Sequence, residues 1–128
     1  LMHFSCTDNP ISGGISLGVQ ARLWSLVCSN CGISELDLSG CTRLAHLDCI
    51  ENQLSSLDLA ANTNLQTLYC SDHRLETLDI SVNTKLNMFT CVKGKDKPVL
   101  STLYVWSGFD PTVFILFDVP TGVEYLVP

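Results

Sequence analysis

Three groups of residues in this chain have the types and spacing to do chemistry. Cys28 and Cys31, in "CSNC", match the C-x-x-C of a redox pair or half a zinc site, with Cys41, His46 and Cys49 downstream. That chemistry needs a thiolate of lowered pKa, or four ligands converging on one ion. "GISLG", residues 14–18, matches the G-x-S-x-G turn that presents a nucleophilic serine, here Ser16. Asp37, Asp58 and Asp79 recur at intervals of 21. Stacked carboxylates repel, and a cation such as calcium, bound through oxygen, would relieve them.

The elements that must position these residues come from a repeat. From Leu23 the chain falls into lines of 21: "LWSLVCSNCGISELDLSGCTR", "LAHLDCIENQLSSLDLAANTN" and "LQTLYCSDHRLETLDISVNTK". "LNMFTCVKGKDKPVLSTLYVW" starts a fourth and then diverges, and residues 1–22 are the same line with one extra residue near a Gly pair. The repeats are 1–22, 23–43, 44–64, 65–85 and the start of a last at 86–92. Cys6, Cys28, Cys49, Cys70 and Cys91 share one column, at spacings of 22, 21, 21 and 21. In "LAHLDCI" the alternation has period two, which sends Leu47 and Cys49 one way and His46, Asp48 and Ile50 the other.

A unit of this length cannot bury its apolar face alone. Stacked copies give parallel strands about 4.8 Å apart and one continuous core. The Cys column is then an inward, structural ladder, because Cys is a small apolar side chain that is commonly buried. Its thiols are expected to stay reduced, since neighbouring Cβ vectors run side by side. Asn52, Asn62 and Asn83 fall where the chain must bend, and their amides can serve backbone groups of a neighbouring turn. The first-half column reads Asn9, Cys31, Asn52, His73, Gly94, which predicts looser turns where Asn is replaced.

Placed on this solenoid, the three motifs lose most of their chemistry. Cys28 and Cys49 face the core, Cys41 belongs to the other half-repeat and His46 faces outward, so four ligands do not converge. The serine turn requires a strand-turn-helix in a large α/β sheet; here Ile15 and Leu17 align with Leu36 and Leu38, putting Ser16 outside beside Asp37. The Asp column reads as solvated carboxylates hydrogen-bonded to Ser and Thr, including Ser56 and Thr77, with ion binding the lesser reading. No catalytic, cofactor or metal residue is assigned.

The line L-x-x-L-x-C-x-x-N-x-L, followed by L-x-x-L-D-L-S-x-N-T, resembles the leucine-rich repeat with Cys at a Leu position. Its length and cysteine column are similar to the cysteine-ladder repeats of bacterial surface proteins related to the internalins. The resemblance covers residues 1–92. It implies a leucine-rich-repeat solenoid of the right-handed β-α superhelix class, about five turns with little helix, and residues 93–128 as a C-terminal cap. It also implies a non-enzymatic binding module for a protein or glycan, extracellular or at a cell surface, with no cofactor. The candidate recognition face is His46, Asp48, Ile50, Thr67, Tyr69, Ser71, Met88 and Thr90. A structural spacer in a longer chain is the alternative, and a thiol or zinc protein using Cys28, Cys31 and Cys41 is the lesser one.

Bulk composition agrees with a folded, apolar-rich domain. The chain has 128 residues, 46% hydrophobic and 16% charged, enough for one substantial core. A net charge of −6 disfavours nucleic acid or an anionic membrane as partner. No stretch approaches the roughly 20 apolar residues of a membrane span, and the opening lacks the basic and apolar regions of a signal peptide. The capping segment contains "GKDKP" as an inserted loop, then one more strand-like line, "VLSTLYVWSGFDP". Asp110 and Pro111 start a helix or a strand through "TVFILF". The first repeat, with Leu1, Phe4, Cys6 and Ile11 uncovered, is expected to fray or to support a weak homodimer.

Overall fold

In the computed structural model, which describes residues 2–71, 73–92 and 100–128, Leu26, Leu47, Leu68 and Phe89 stand above one another in register. Each is the middle residue of a three-residue strand, flanked by two outward ones. The strands are β1 (His3–Ser5), β3 (Ser25–Val27), β5 (His46–Asp48), β6 (Thr67–Tyr69), β8 (Met88–Thr90) and β10 (Leu116–Asp118), all parallel in that order. The second half of the coil carries a shorter ladder: β2 (Gly13–Ser16) pairs with β4 (Ile33–Asp37), and β7 (Thr77–Asp79), β9 (Thr102–Tyr104) and β11 (Glu124–Leu126) pair in turn. The protein is a parallel β-solenoid of about six turns.

Inside the coil, Leu44, Leu47, Leu54 and Leu59, with their equivalents in other turns, form one cluster with Cys28, Cys31, Cys41, Cys49, Cys70 and Cys91. All four leucines are 1% exposed or less, so each coil gains its stability from the coils on either side. The ladder continues one residue past each first-half strand, where the amides of Cys28, Cys49 and Cys70 donate to the carbonyls of Asp48, Tyr69 and Thr90.

The corner that follows is built the same way in successive turns. Asp8, Asn30 and Glu51 take left-handed backbone at φ of 60°, 53° and 56°. The next residue in each turn closes the corner with its side chain. Asn52 does this most fully: its Nδ2 donates to the carbonyls of Cys28, Cys49 and Ile50, and its Oδ1 accepts the amides of Cys31 and Ile33. At the two described positions where Asn is replaced, Cys31 and His73, the corner stays buried and bonded. Cys31 is fully buried and its thiol faces the Cys6 carbonyl at 2.9 Å; His73 is 4% exposed and its Nδ1 accepts the Leu54 amide. A buried corner tolerates these exchanges because each substitute still supplies a polar group to the preceding turn.

Three expectations change. About five turns becomes about six, because residues 100–128 continue the stack: Leu116, Phe117 and Asp118 pair with Met88, Phe89 and Thr90. The segment read as a cap therefore covers Phe89 as a further coil does, with Phe117 at 5.5 Å between ring centres. Through "TVFILF" the alternatives divide. Asp110 caps a single 3-10 turn, Pro111–Val113, by accepting the Thr112 amide, and β10 follows. That turn is the only helix among the described residues, in keeping with the little helix expected, and none is long and apolar enough to cross a membrane. Leu1, Gly94 and the inserted loop at 94–98 lie outside the described residues.

The extra residue of the first repeat lies before β2, at whose entry Ser12 and Gly13 take positive φ of 48° and 89°. Gly13 then pairs with Ile33 but Gly14 with Glu35, so a bulge at Ser34 of β4 restores the register.

Candidate functional site

The six-stranded sheet presents its outward residues in rows fixed by register. One runs His3, Ser25, His46, Thr67, Met88 and continues to Leu116; the next runs Ser5, Val27, Asp48, Tyr69, Thr90 and continues to Asp118. His46, Asp48, Ile50, Thr67, Tyr69, Met88 and Thr90 are all half-buried, with one side packed on the sheet and one in solvent. The His46 and Tyr69 rings meet edge to face at 5.9 Å and 87°, and the Tyr69 hydroxyl lies 3.9 Å from Met88 Sδ. These contacts span adjacent strands, so the face is a pre-ordered surface.

Asp48 anchors one edge of this surface. Its Oδ1 accepts the Ser29 hydroxyl and the Ile50 amide. Ser71 differs from the other predicted residues: it is 6% exposed, and its Oγ accepts the Val92 amide beside Thr90 Oγ1. It braces the row and offers little contact surface. Leu116 and Asp118, both exposed, extend the face at positions the sequence reading assigned to a cap. The signal was present in "LFDV", the same out-in-out alternation as "HLDC".

The ladder cysteines are placed as packing groups. Cys28, Cys49, Cys70 and Cys91 are buried, Cys6 is half-buried, and all seven cysteines are free thiols. Burial pushes the Cys28 thiol up to about 12, and burial with the neighbouring Cys31 takes Cys6 to about 11. Cys49 and Cys70 are likewise raised well above the ordinary thiol value, chiefly by desolvation. Cys41 is raised too, chiefly by desolvation and then by the Asp37 carboxylate. Thiols shifted this way are poor nucleophiles and poor metal ligands. Among the described residues no three His, Cys, Asp or Glu side chains gather as a metal site, so Cys28, Cys31, Cys41, His46 and Cys49 do not converge.

A second surface lies along Asp37, Asp58 and Asp79. Between β4 and β7 the second ladder is interrupted, because residues 54–58 form no strand. A cleft of about 400 Å³ opens there, lined by Gly14, Ile15, Ser16, Glu35, Leu36, Asp37, Ser56 and Asp58. Ser16 donates to Asp37 Oδ2 at 2.9 Å. Hydrogen bonds from the Ser39 hydroxyl and amide, and then from Ser16, hold the Asp37 carboxyl below the usual range. Asp58 and Asp79 each accept the amide two residues on, from Ala60 and Ser81. The donors are thus local turn groups and Ser16 rather than Ser56 and Thr77, because a carboxylate at a turn reaches the i+2 amide most easily. Ser16 has a carboxylate as its acceptor here, which leaves it an ordinary hydroxyl.

Comparisons with protein-family profiles, with curated proteins and with solved structures return no match.

Proposed function

We propose that this chain is a leucine-rich-repeat binding module that recognises a protein or glycan partner through the outward face of its six-stranded sheet. The observation that carries this reading is the register. It aligns His46, Asp48, Thr67, Tyr69, Met88 and Thr90 as neighbouring side chains across three strands, with an aromatic pair at the centre. Half-buried Tyr and His give contact area at low entropic cost, and Asp48 and Thr90 give directional hydrogen bonds. The 21-residue lines and the inward cysteine column support the leucine-rich-repeat assignment. By the same resemblance, the proposed setting is a bacterial secreted or surface protein.

The test is a panel of immobilised glycans and displayed peptides, probed with wild-type protein and with Tyr69→Ala and Asp48→Ala. Selective binding is expected, weakened about tenfold or more by Tyr69→Ala, with Asp58→Asn in the cleft as an unaffected control. Binding that survives both face substitutions, or that follows Asp58 instead, would overturn this reading.

A further inference from the structure

Cys6 and Cys31 stand apart from the other thiols. They belong to different columns, since Cys31 occupies the corner position that Asn52 fills one turn later. Cys31 Sγ lies 3.9 Å from Cys6 Sγ, between the two corners rather than along a strand. Cys6 is half-buried, so it keeps some contact with solvent, whereas Cys31 is fully buried. Cys70 and Cys91 are also neighbours, but both are buried, so an oxidant has no sulfur to reach.

We infer that Cys6 and Cys31 form a redox latch that closes as a disulfide and fastens the first coil to the second. A disulfide needs sulfurs about 2.05 Å apart, so closure asks each to move about 1 Å, within reach of side-chain rotation. Closure gives up the contacts of the Cys31 thiol with the Cys6 and Ser29 carbonyls. The oxidant is a small-molecule disulfide such as oxidised glutathione. The Cys6 thiol, held up at about 11, is only sparsely ionised, so its thiolate attacks one of these sulfurs slowly, faster as pH rises, and expels one glutathione thiolate. The Cys31 thiolate then attacks the Cys6 sulfur of the mixed disulfide and expels the second. Two protein thiols become one disulfide, one glutathione disulfide becomes two thiols, and the protons end on the released glutathione.

The consequence falls on the first coil. Its apolar residues Phe4, Ile15 and Leu17 are only partly buried, while the fully buried core starts at Leu23. A covalent loop from Cys6 to Cys31 restricts the opened coil more than the closed one. Gly14, Ile15 and Ser16 form one wall of the acidic cleft, so the latch sets how persistently that wall is held. This does not depend on the binding role of the sheet.

The full chain is equilibrated in glutathione buffers of rising oxidised fraction, quenched by alkylation and read by peptide mass spectrometry and amide exchange. A peptide linking Cys6 to Cys31 is expected, with exchange at residues 14–16 slowed about a hundredfold. Cys6→Ala should abolish both changes, and Cys31→Ser should stop at a glutathione adduct on Cys6. Seven alkylated cysteines throughout, a stable adduct on wild-type Cys6, a link between Cys70 and Cys91, or unchanged exchange after linkage would each overturn the proposal.

Discussion

Gly40 lies against Gly18 so closely that a Cβ on Gly40 would stand 2.1 Å from the Gly18 carbonyl oxygen. The neighbouring Gln20 amide donates to the Gly40 carbonyl at 3.1 Å, which seats the first coil on the second at this point. Gly40→Ala must therefore push backbone rather than a side chain. A loss of about 1–3 kcal/mol is expected in urea unfolding, with faster amide exchange at residues 17–20. Gly18→Ala meets open space and carries only the cost of its φ of +60°, about 1 kcal/mol. Equal effects of the two substitutions would show that the coils do not touch there.

Cys49 separates packing from polarity. Its side chain is fully buried between Cys28 and Cys70 in the ladder. Cys49→Ala removes one sulfur and is expected to cost about 1–3 kcal/mol. Cys49→Asp forces a carboxyl into the same space and should cost several kcal/mol more, or prevent folding. Thermal melts of the two variants decide this, and similar midpoints would place the side chain outside the core.

Asn52 holds its corner from both ends of its amide, donating to the carbonyls of Cys28, Cys49 and Ile50 and accepting from the amides of Cys31 and Ile33. Asn52→Ala strands the Cys31 and Ile33 amides away from water, at an expected cost of about 2–4 kcal/mol. Asn52→Asp keeps the acceptor but turns the donor toward three carbonyls into a negative oxygen. It should be at least as damaging at neutral pH, and less so in acid where the carboxyl is protonated. Urea midpoints across pH give the comparison; an Asp variant as stable as wild type would rule out the donor role.

The buried thiols make the protein sensitive to alkali. A thiol whose folded pKa is raised keeps its proton where the unfolded chain has released it, so the folded state binds more protons above the unfolded value. Stability from this source is complete below the ordinary 9.0 and falls as pH rises toward the 12 of Cys28. The slope reaches about 1.4 kcal/mol per pH unit for each such thiol. Under reducing conditions the urea midpoint should decline steeply across this window, and less steeply in Cys28→Ala. A flat profile would show that the thiols are not desolvated.

The sequence was most legible where like residues stack on like. The columns of Leu, Cys and Asn gave the strands, their inward residues and the rows of the outward face, because each coil's neighbours are near-copies of itself. The last coil was hidden by a change of spacing. Met88 pairs with Leu116, an interval of 28 instead of 21, while Thr102 pairs with Glu124 at 22. Its filling also changes. Trp106 and Phe109 meet at 4.9 Å, and Phe114 and Phe117 at 5.0 Å, so rings replace the Leu and Asn that mark the earlier turns. The cleft was not legible either. "LSSLD" and "ISELD" carry the same pattern, yet only the second forms a strand, and nothing in a single line records a lost pairing between lines.

That lost pairing makes the solenoid mechanically uneven. The first sheet crosses all six coils as one hydrogen-bonded strip, whereas the second is cut between β4 and β7. The cut is confined, because the Gln53 amide still donates to the Ile33 carbonyl and the Arg74 amide to the Leu54 carbonyl beside it. The protein thus carries a built-in crease, with Asp37 and Asp58 on its two lips.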